Sequence, residues 1–308
     1  MTPSTPEERT GRVAVADKHE LFFRMVGHGA VTVVIPNASW WGTTADVLAD
    51  RYRVILYDTR GRGRSDPLSD DLELGLEADV ADLEALRRHV GASRVSLIGW
   101  SYLGAVVALY AAQHADVVDR VVQVGPLMPT RDPLWASWMA SYSERAAALA
   151  RERGHTSALT TAVQSEGVAP SDVRDGLRAT ILPQFGKLSA VEDVLDTVGS
   201  DLPNEHPAAI ARWFDRNMAA LGAWDLRPIA PRVTAPVLTV HGTEDNVPIE
   251  GSLDWVERFP NARLLRLEGV GHYPFFEQPD RFFGALSAFF GGRWPSGAEA
   301  GTSARQTS

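Results

Sequence analysis

Three polar side chains lie just beyond short strand-like runs, and their types suit one piece of chemistry. Ser101 follows the run at 95–98 and precedes an alanine-rich apolar run at 105–112, Asp245 follows 237–241, and His272 follows 264–267. A serine hydroxyl is a weak nucleophile near neutral pH. It attacks effectively when a histidine takes its proton and a carboxylate fixes the histidine's tautomer and orientation. A serine on a sharp strand-to-helix turn also exposes its Oγ, and the helix that follows aims its positive end at the reacting group. The stretch Gly99-Trp100-Ser101-Tyr102-Leu103-Gly104 has this form, with Leu103 in the place of the second glycine of GxSxG. A serine that merely caps a helix gives the same GxS triplet, so the rest of the chain decides.

The elements that must hold these groups follow from hydrophobic patterning. The apolar, β-branched runs at 31–35 and 54–57 read as buried strands, and 95–98, 118–124, 237–240 and 264–267 read as further strands. Residues 13–26 alternate loosely around Lys18-His19-Glu20, which suits a hairpin at a sheet edge, and 43–50 reads as a short amphipathic helix. Leu76, Val80, Leu83, Leu86 and Val90 recur at helical spacing and stop at Gly91. Strands alternating with helices define an α/β class with a mostly parallel central sheet flanked by helices and right-handed crossovers. Ligands of such sheets bind beyond the carboxyl ends of the strands, where the three polar groups lie. From 127 to 232 the pattern is helical and rich in Trp, Met and Ala, which reads as a cap inserted after the sixth strand. The expected organisation is a core at 13–126 and 233–290, a cap at 127–232, and disordered tails at 1–12 and 291–308.

Composition narrows the partners. The 308 residues carry a formal charge of −9, 44% apolar and 22% charged residues, and no cysteine. Disulfides, thiolate metal sites and a cysteine nucleophile are therefore excluded. Neither a basic stripe nor a polybasic cluster supports binding to nucleic acid or an anionic membrane. Arg60-Gly61-Arg62-Gly63-Arg64 is interrupted by glycines and flanked by Asp58 and Asp66, so it reads as a turn. No apolar run reaches the roughly 18 residues of a membrane helix, and the N-terminus lacks a secretory pattern. These features lead us to expect a cytoplasmic protein with a small-molecule substrate, no nucleic-acid or membrane partner, and an oligomeric state, homo-oligomer included, that the sequence leaves open.

Four stretches, in order along 13–290, resemble the α/β-hydrolase fold family. They are the glycine-rich turn DTRGRGRSD (58–66), the elbow around Ser101, the acid turn HGTEDNVP (241–248) and the histidine loop GVGHYPFFEQPDRF (269–282). The chain order Ser, Asp, His is the one this family uses. The elbow continued by AVVALYA, together with the helical cap, looks most like the proline iminopeptidase-like branch.

The resemblance implies a triad in which Ser101 attacks, His272 carries the proton and Asp245 orients His272. The GxxD spacing from Gly242 selects Asp245 over its neighbour Glu244, and His28 and His241 read as structural. Oxyanion donors are expected from the N–H of Tyr102 and from the loop PNASW (36–40), which replaces the HGGPG or HGF of relatives. Ala38 is the donor there by position, with Ser39 the other candidate, while Asn37 either donates from its side chain or stabilises the turn. Trp40, Trp41 and Trp100, with Trp135 and Trp138 from the cap, are expected to line an apolar pocket. The implied activity is hydrolysis of a small to medium, partly apolar ester, lactone, thioester or amide through an acyl-enzyme, with neither cofactor nor metal. The alternatives are an iminopeptidase, for which no cap glutamate can be assigned to a substrate amine, a triad-based lyase, C–C bond hydrolase or cyclase, and a non-catalytic receptor.

Overall fold

Among the described residues, nine strands form one sheet in the order β1-β2-β4-β3-β5-β6-β7-β8-β9. The computed structural model describes residues 8–152, 170–199 and 202–301. Six strands run parallel: β3 (Thr32–Pro36), β4 (Arg53–Tyr57), β5 (Val95–Trp100), β6 (Val118–Val124), β7 (Val237–Gly242) and β8 (Ala262–Leu267). Their apolar residues alternate between two cores. Val33, Ile35, Ile98, Val122, Val240 and Leu267 face one, and Val34, Ile55, Leu97, Val121 and Val237 face the other. Both faces are covered, so the sequence is apolar at successive positions instead of every second one.

The edges close with antiparallel strands, one end with the hairpin expected around 13–26, which begins earlier at Glu8. β1 (Glu8–Ala14) pairs with β2 (Glu20–Val26), and β9 (Ala298–Ala300) pairs with β8. Residues 8–12 and 298–300 therefore belong to the sheet, which corrects the expectation of tails there. Backbone hydrogen bonds hold these strands, and in β1 only Val13 is buried, so no hydrophobic alternation marks it. Residues 1–7 and 302–308 of the expected tails, and 153–169 and 200–201 of the expected cap, lie outside the described residues.

Helices cover the sheet. α1 (Ala38–Trp41) is one turn, α2 spans Leu76–His89, and α3 (Tyr102–Gln113) runs from the elbow. All of α3 but Gln113 is buried between the sheet and its neighbours, which accounts for its alanines and its lack of a polar face. Residues 44–48 form a 3₁₀ turn where an α-helix was expected. Between β6 and β7 the described helices are α4 (Leu134–Glu152), α5 (Pro170–Ile181), α6 (Val191–Val198) and α7 (Pro207–Leu221). After β7 come α8 (Ile249–Arg258), α9 (Pro274–Glu277) and α10 (Pro279–Phe290). The helical segment is anchored through α7: Trp213 Nε1 donates to Arg60 O at 2.9 Å, and Arg216 reaches Ser69 O at 2.7 Å and Leu72 O at 2.8 Å.

Candidate active site

β5 runs through Trp100, and Tyr102 opens α3, so Ser101 alone makes the turn, at φ 58° and ψ −128°. This sparsely populated conformation is held from several sides. Ser101 N–H donates to Val124 O at 2.9 Å, and its carbonyl accepts from Gly104 N–H at 2.9 Å and Leu127 N–H at 3.0 Å. A Cβ at Gly99 would lie 2.2 Å from Leu103 O, and one at Gly104 would lie 2.7 Å from Pro126 Cβ. The positions that must stay small are thus Gly99 and Gly104. Leu103 faces the cavity described below, so its side chain does not crowd the turn.

His272 is 2 % exposed, and its Nδ1 lies 2.8 Å from Asp245 Oδ2. A carboxylate only accepts, so Nδ1 carries the proton and Nε2 keeps the lone pair. Asp245 Oδ1 accepts from Val247 N–H at 2.9 Å, and His272 N–H donates to Gln184 O at 2.7 Å. Trp100 Nε1 donates to His272 O at 2.8 Å, which ties the residue before Ser101 to the histidine loop. Gly125, at φ +47°, faces this pair: a Cβ would lie 2.6 Å from Asp245 Oδ2 and 2.8 Å from His272 Nδ1. Glu277, which the sequence did not single out, accepts from the N–H groups of Gly271, Tyr273, Gly186 and Lys187. Glu244 is exposed and His241 is not: its ring meets Ser252 Oγ at 2.9 Å and Val247 O at 3.1 Å, a satisfied core histidine.

The PNASW loop turns at Asn37, whose φ of 72° is left-handed. Ser39 N–H donates to Asp58 Oδ1 at 2.7 Å and is thereby engaged. Ala38 and Tyr102 each open a helix, where an N–H has no partner within the helix. Asp58 also accepts from Arg64 N–H at 3.0 Å, and burial pushes its carboxyl up to about 6 against these two donors. Tyr102 O–H donates to Asp79 at 2.7 Å beneath the elbow; burial, then the nearby Asp82 charge, raises Asp79 to about 7.

Ser101 and His272 open onto one cavity of about 420 Å³. Its wall is mainly apolar, including Trp40, Trp100, Leu103, Trp138, Ile181 and Phe214, and Asn37 and Tyr102 also line it. Two of the expected tryptophans lie elsewhere. Trp41 is fully buried and stacks on Phe275 at 3.9 Å, so it faces the core; Trp135 packs against Trp138 and Trp224 behind the wall. The other charged lining groups are Arg62 and Asp215. Arg62 is buried against Glu205, with Nη2–Oε2 at 2.7 Å and Nε–Oε1 at 3.1 Å, whereas Asp215 is exposed.

With fold and site in view, the chain belongs to the alpha/beta hydrolase fold family, whose profile matches residues 28–279. Proline iminopeptidases are among its relatives: that of Xylella fastidiosa is 27% identical over 292 residues, covering 87% of this chain and 92% of its own. The pimeloyl-[acyl-carrier protein] methyl ester esterase of Aeromonas hydrophila is 26% identical over 261 residues, covering 83% of this chain and 91% of its own. Among solved structures, an esterase from Rhodococcus sp. superposes with a TM-score of 0.65 at 24% identity, covering 92% of this chain and 98% of its own. Among the described residues no helix is long and apolar enough to cross a membrane.

Proposed function

We propose that the chain is a serine hydrolase that cleaves a small to medium, neutral and largely apolar acyl compound, an ester, lactone, thioester or amide, through an acyl-enzyme. The observation that carries this reading is the 2.8 Å His272–Asp245 bond in the wall of the same apolar cavity that exposes Ser101. In this mechanism His272 Nε2 takes the Ser101 proton as Oγ attacks the carbonyl carbon, and Asp245 stabilises the imidazolium. The N–H groups of Ala38 and Tyr102 receive the oxyanion; Ser39 is set aside because Asp58 already holds its N–H. His272 then protonates the leaving group, and water deacylates Ser101 by the same route.

Electrostatics favour a neutral substrate over an amino-terminal one. An ammonium group in an apolar cavity needs an anionic partner. Among the described residues between β6 and β7 the one buried carboxylate is Glu205, and Arg62 already neutralises it. Asp215 is exposed to water and screened, a weak partner for an amine.

A panel of p-nitrophenyl esters, lactones and aminoacyl amides, run on wild type and Ser101→Ala, tests this function. Turnover of neutral esters should depend on Ser101, and a fluorophosphonate should label that residue. Full esterase activity in Ser101→Ala would sink the mechanism, and preference for aminoacyl amides would sink the substrate class.

A further inference from the structure

Glu205 is 1 % exposed and belongs to the segment between β6 and β7, yet its partners lie in the loops after β3 and β4. Oε2 accepts from Trp40 Nε1 at 2.6 Å and Arg62 Nη2 at 2.7 Å. Oε1 accepts from Gly63 N–H at 2.7 Å, Arg62 Nε at 3.1 Å and Ser39 Oγ at 3.4 Å. The neighbouring Asn204 Nδ2 donates to Gly63 O at 3.1 Å and Ser65 O at 2.9 Å. A buried ion pair alone adds little net stability, because desolvation offsets most of the attraction. The additional bonds to Ser39, Trp40 and Gly63 bring geometry: they pin the two residues that follow Ala38, while Asp58 holds Ser39 N–H from the other side.

We propose that Glu205 is a positioning residue for the reaction. By holding Ser39 and Trp40 against the turn at 62–63, it sets the direction of the Ala38 N–H and couples the oxyanion site to seating of the cap. The proposal rests on the serine hydrolase reading above. α1 is a single turn, too short to keep its shape unaided, and oxyanion donors act only when aimed before the charge develops.

The test compares wild type, Glu205→Gln and the double variant Arg62→Met with Glu205→Met, with active sites counted by fluorophosphonate titration. Glu205→Gln keeps the size but turns an N–H₂ donor toward the N–H groups of Trp40 or Gly63. Its kcat per labelled site on p-nitrophenyl acetate should fall on the order of 10- to 100-fold with KM nearly constant, less than the ~10²–10³-fold of deleting a donor outright. The second-order labelling rate should fall in parallel, since the phosphonyl oxygen uses the same donors. The double variant leaves no unpaired buried charge, and it should fold yet remain slow. Wild-type kcat per site and labelling rate in either variant overturn the proposal. Failure of both variants to fold assigns Glu205 to stability alone and overturns it as well. Absence of Ser101 labelling in the wild type removes the hydrolase reading itself, and this proposal with it.

Discussion

Replacing Asp79 with asparagine should make the protein's stability less sensitive to pH. In the folded state Asp79 titrates near 7 against an ordinary 3.8, because it is buried and close to Asp82. Between about pH 4 and about pH 7 the folded chain therefore keeps a proton that the unfolded chain has released, and stability falls by up to 1.4 kcal/mol per pH unit. Over the whole window the loss is on the order of 4 kcal/mol, and above about pH 7 it stops growing. Asparagine keeps an acceptor for Tyr102 O–H and has no proton to lose. Urea unfolding of both proteins at about pH 5 and about pH 6.5 should show the difference in unfolding free energy moving by about 2 kcal/mol in the variant's favour. Asp58, raised to about 6, contributes a slope of the same sign to both proteins and cancels in the difference. A difference that stays constant across this range would refute the assignment of a neutral Asp79 beneath the elbow.

Other perturbations have equally definite outcomes. Asp245→Asn should lower kcat by on the order of 10⁴-fold with KM little changed, because His272 loses the partner that fixes its tautomer; stopped-flow ester hydrolysis measures this. Gly125→Ala places a methyl group against both partners of the His272–Asp245 bond and should cost about a hundredfold or more in kcat while far-UV circular dichroism stays native. In Gly63→Ala, at φ +53° with a Cβ 2.2 Å from the Asp58 carboxylate, unfolding free energy should drop by about 2–5 kcal/mol, read from the urea midpoint.

What the sequence disclosed and what it concealed divide along the range of the interactions. Ser101, Asp245 and His272 each stand a few residues beyond a strand, so local patterning was enough to place them at one end of the sheet. Trp40 and Trp41 are adjacent and chemically identical, yet one lines the cavity and the other stacks on Phe275. Composition cannot separate them, because the single turn of α1 has no periodicity to read. Leu103 looked misplaced for a similar reason: the close approach falls on Gly104, against Pro126, a contact made only once β6 is laid beside β5. Glu205 sits in an unremarkable PNEHP stretch, and its partners lie 142–166 residues earlier in the chain. The first five residues of β1, 8–12, are held by backbone pairing, to which side-chain patterning is blind.

The bonds around residues 184–187 bear on how a ligand reaches the cavity. Gln184 O receives His272 N–H, Glu277 receives the N–H groups of Gly186 and Lys187, and Arg145 donates to Phe185 O at 2.6 Å. A swing of the whole helical segment about one end would have to break these bonds together or carry the His272 loop along. A rearrangement confined to α4 and α7, which carry the lining residues Trp138 and Phe214, would leave the His272–Asp245 bond in place.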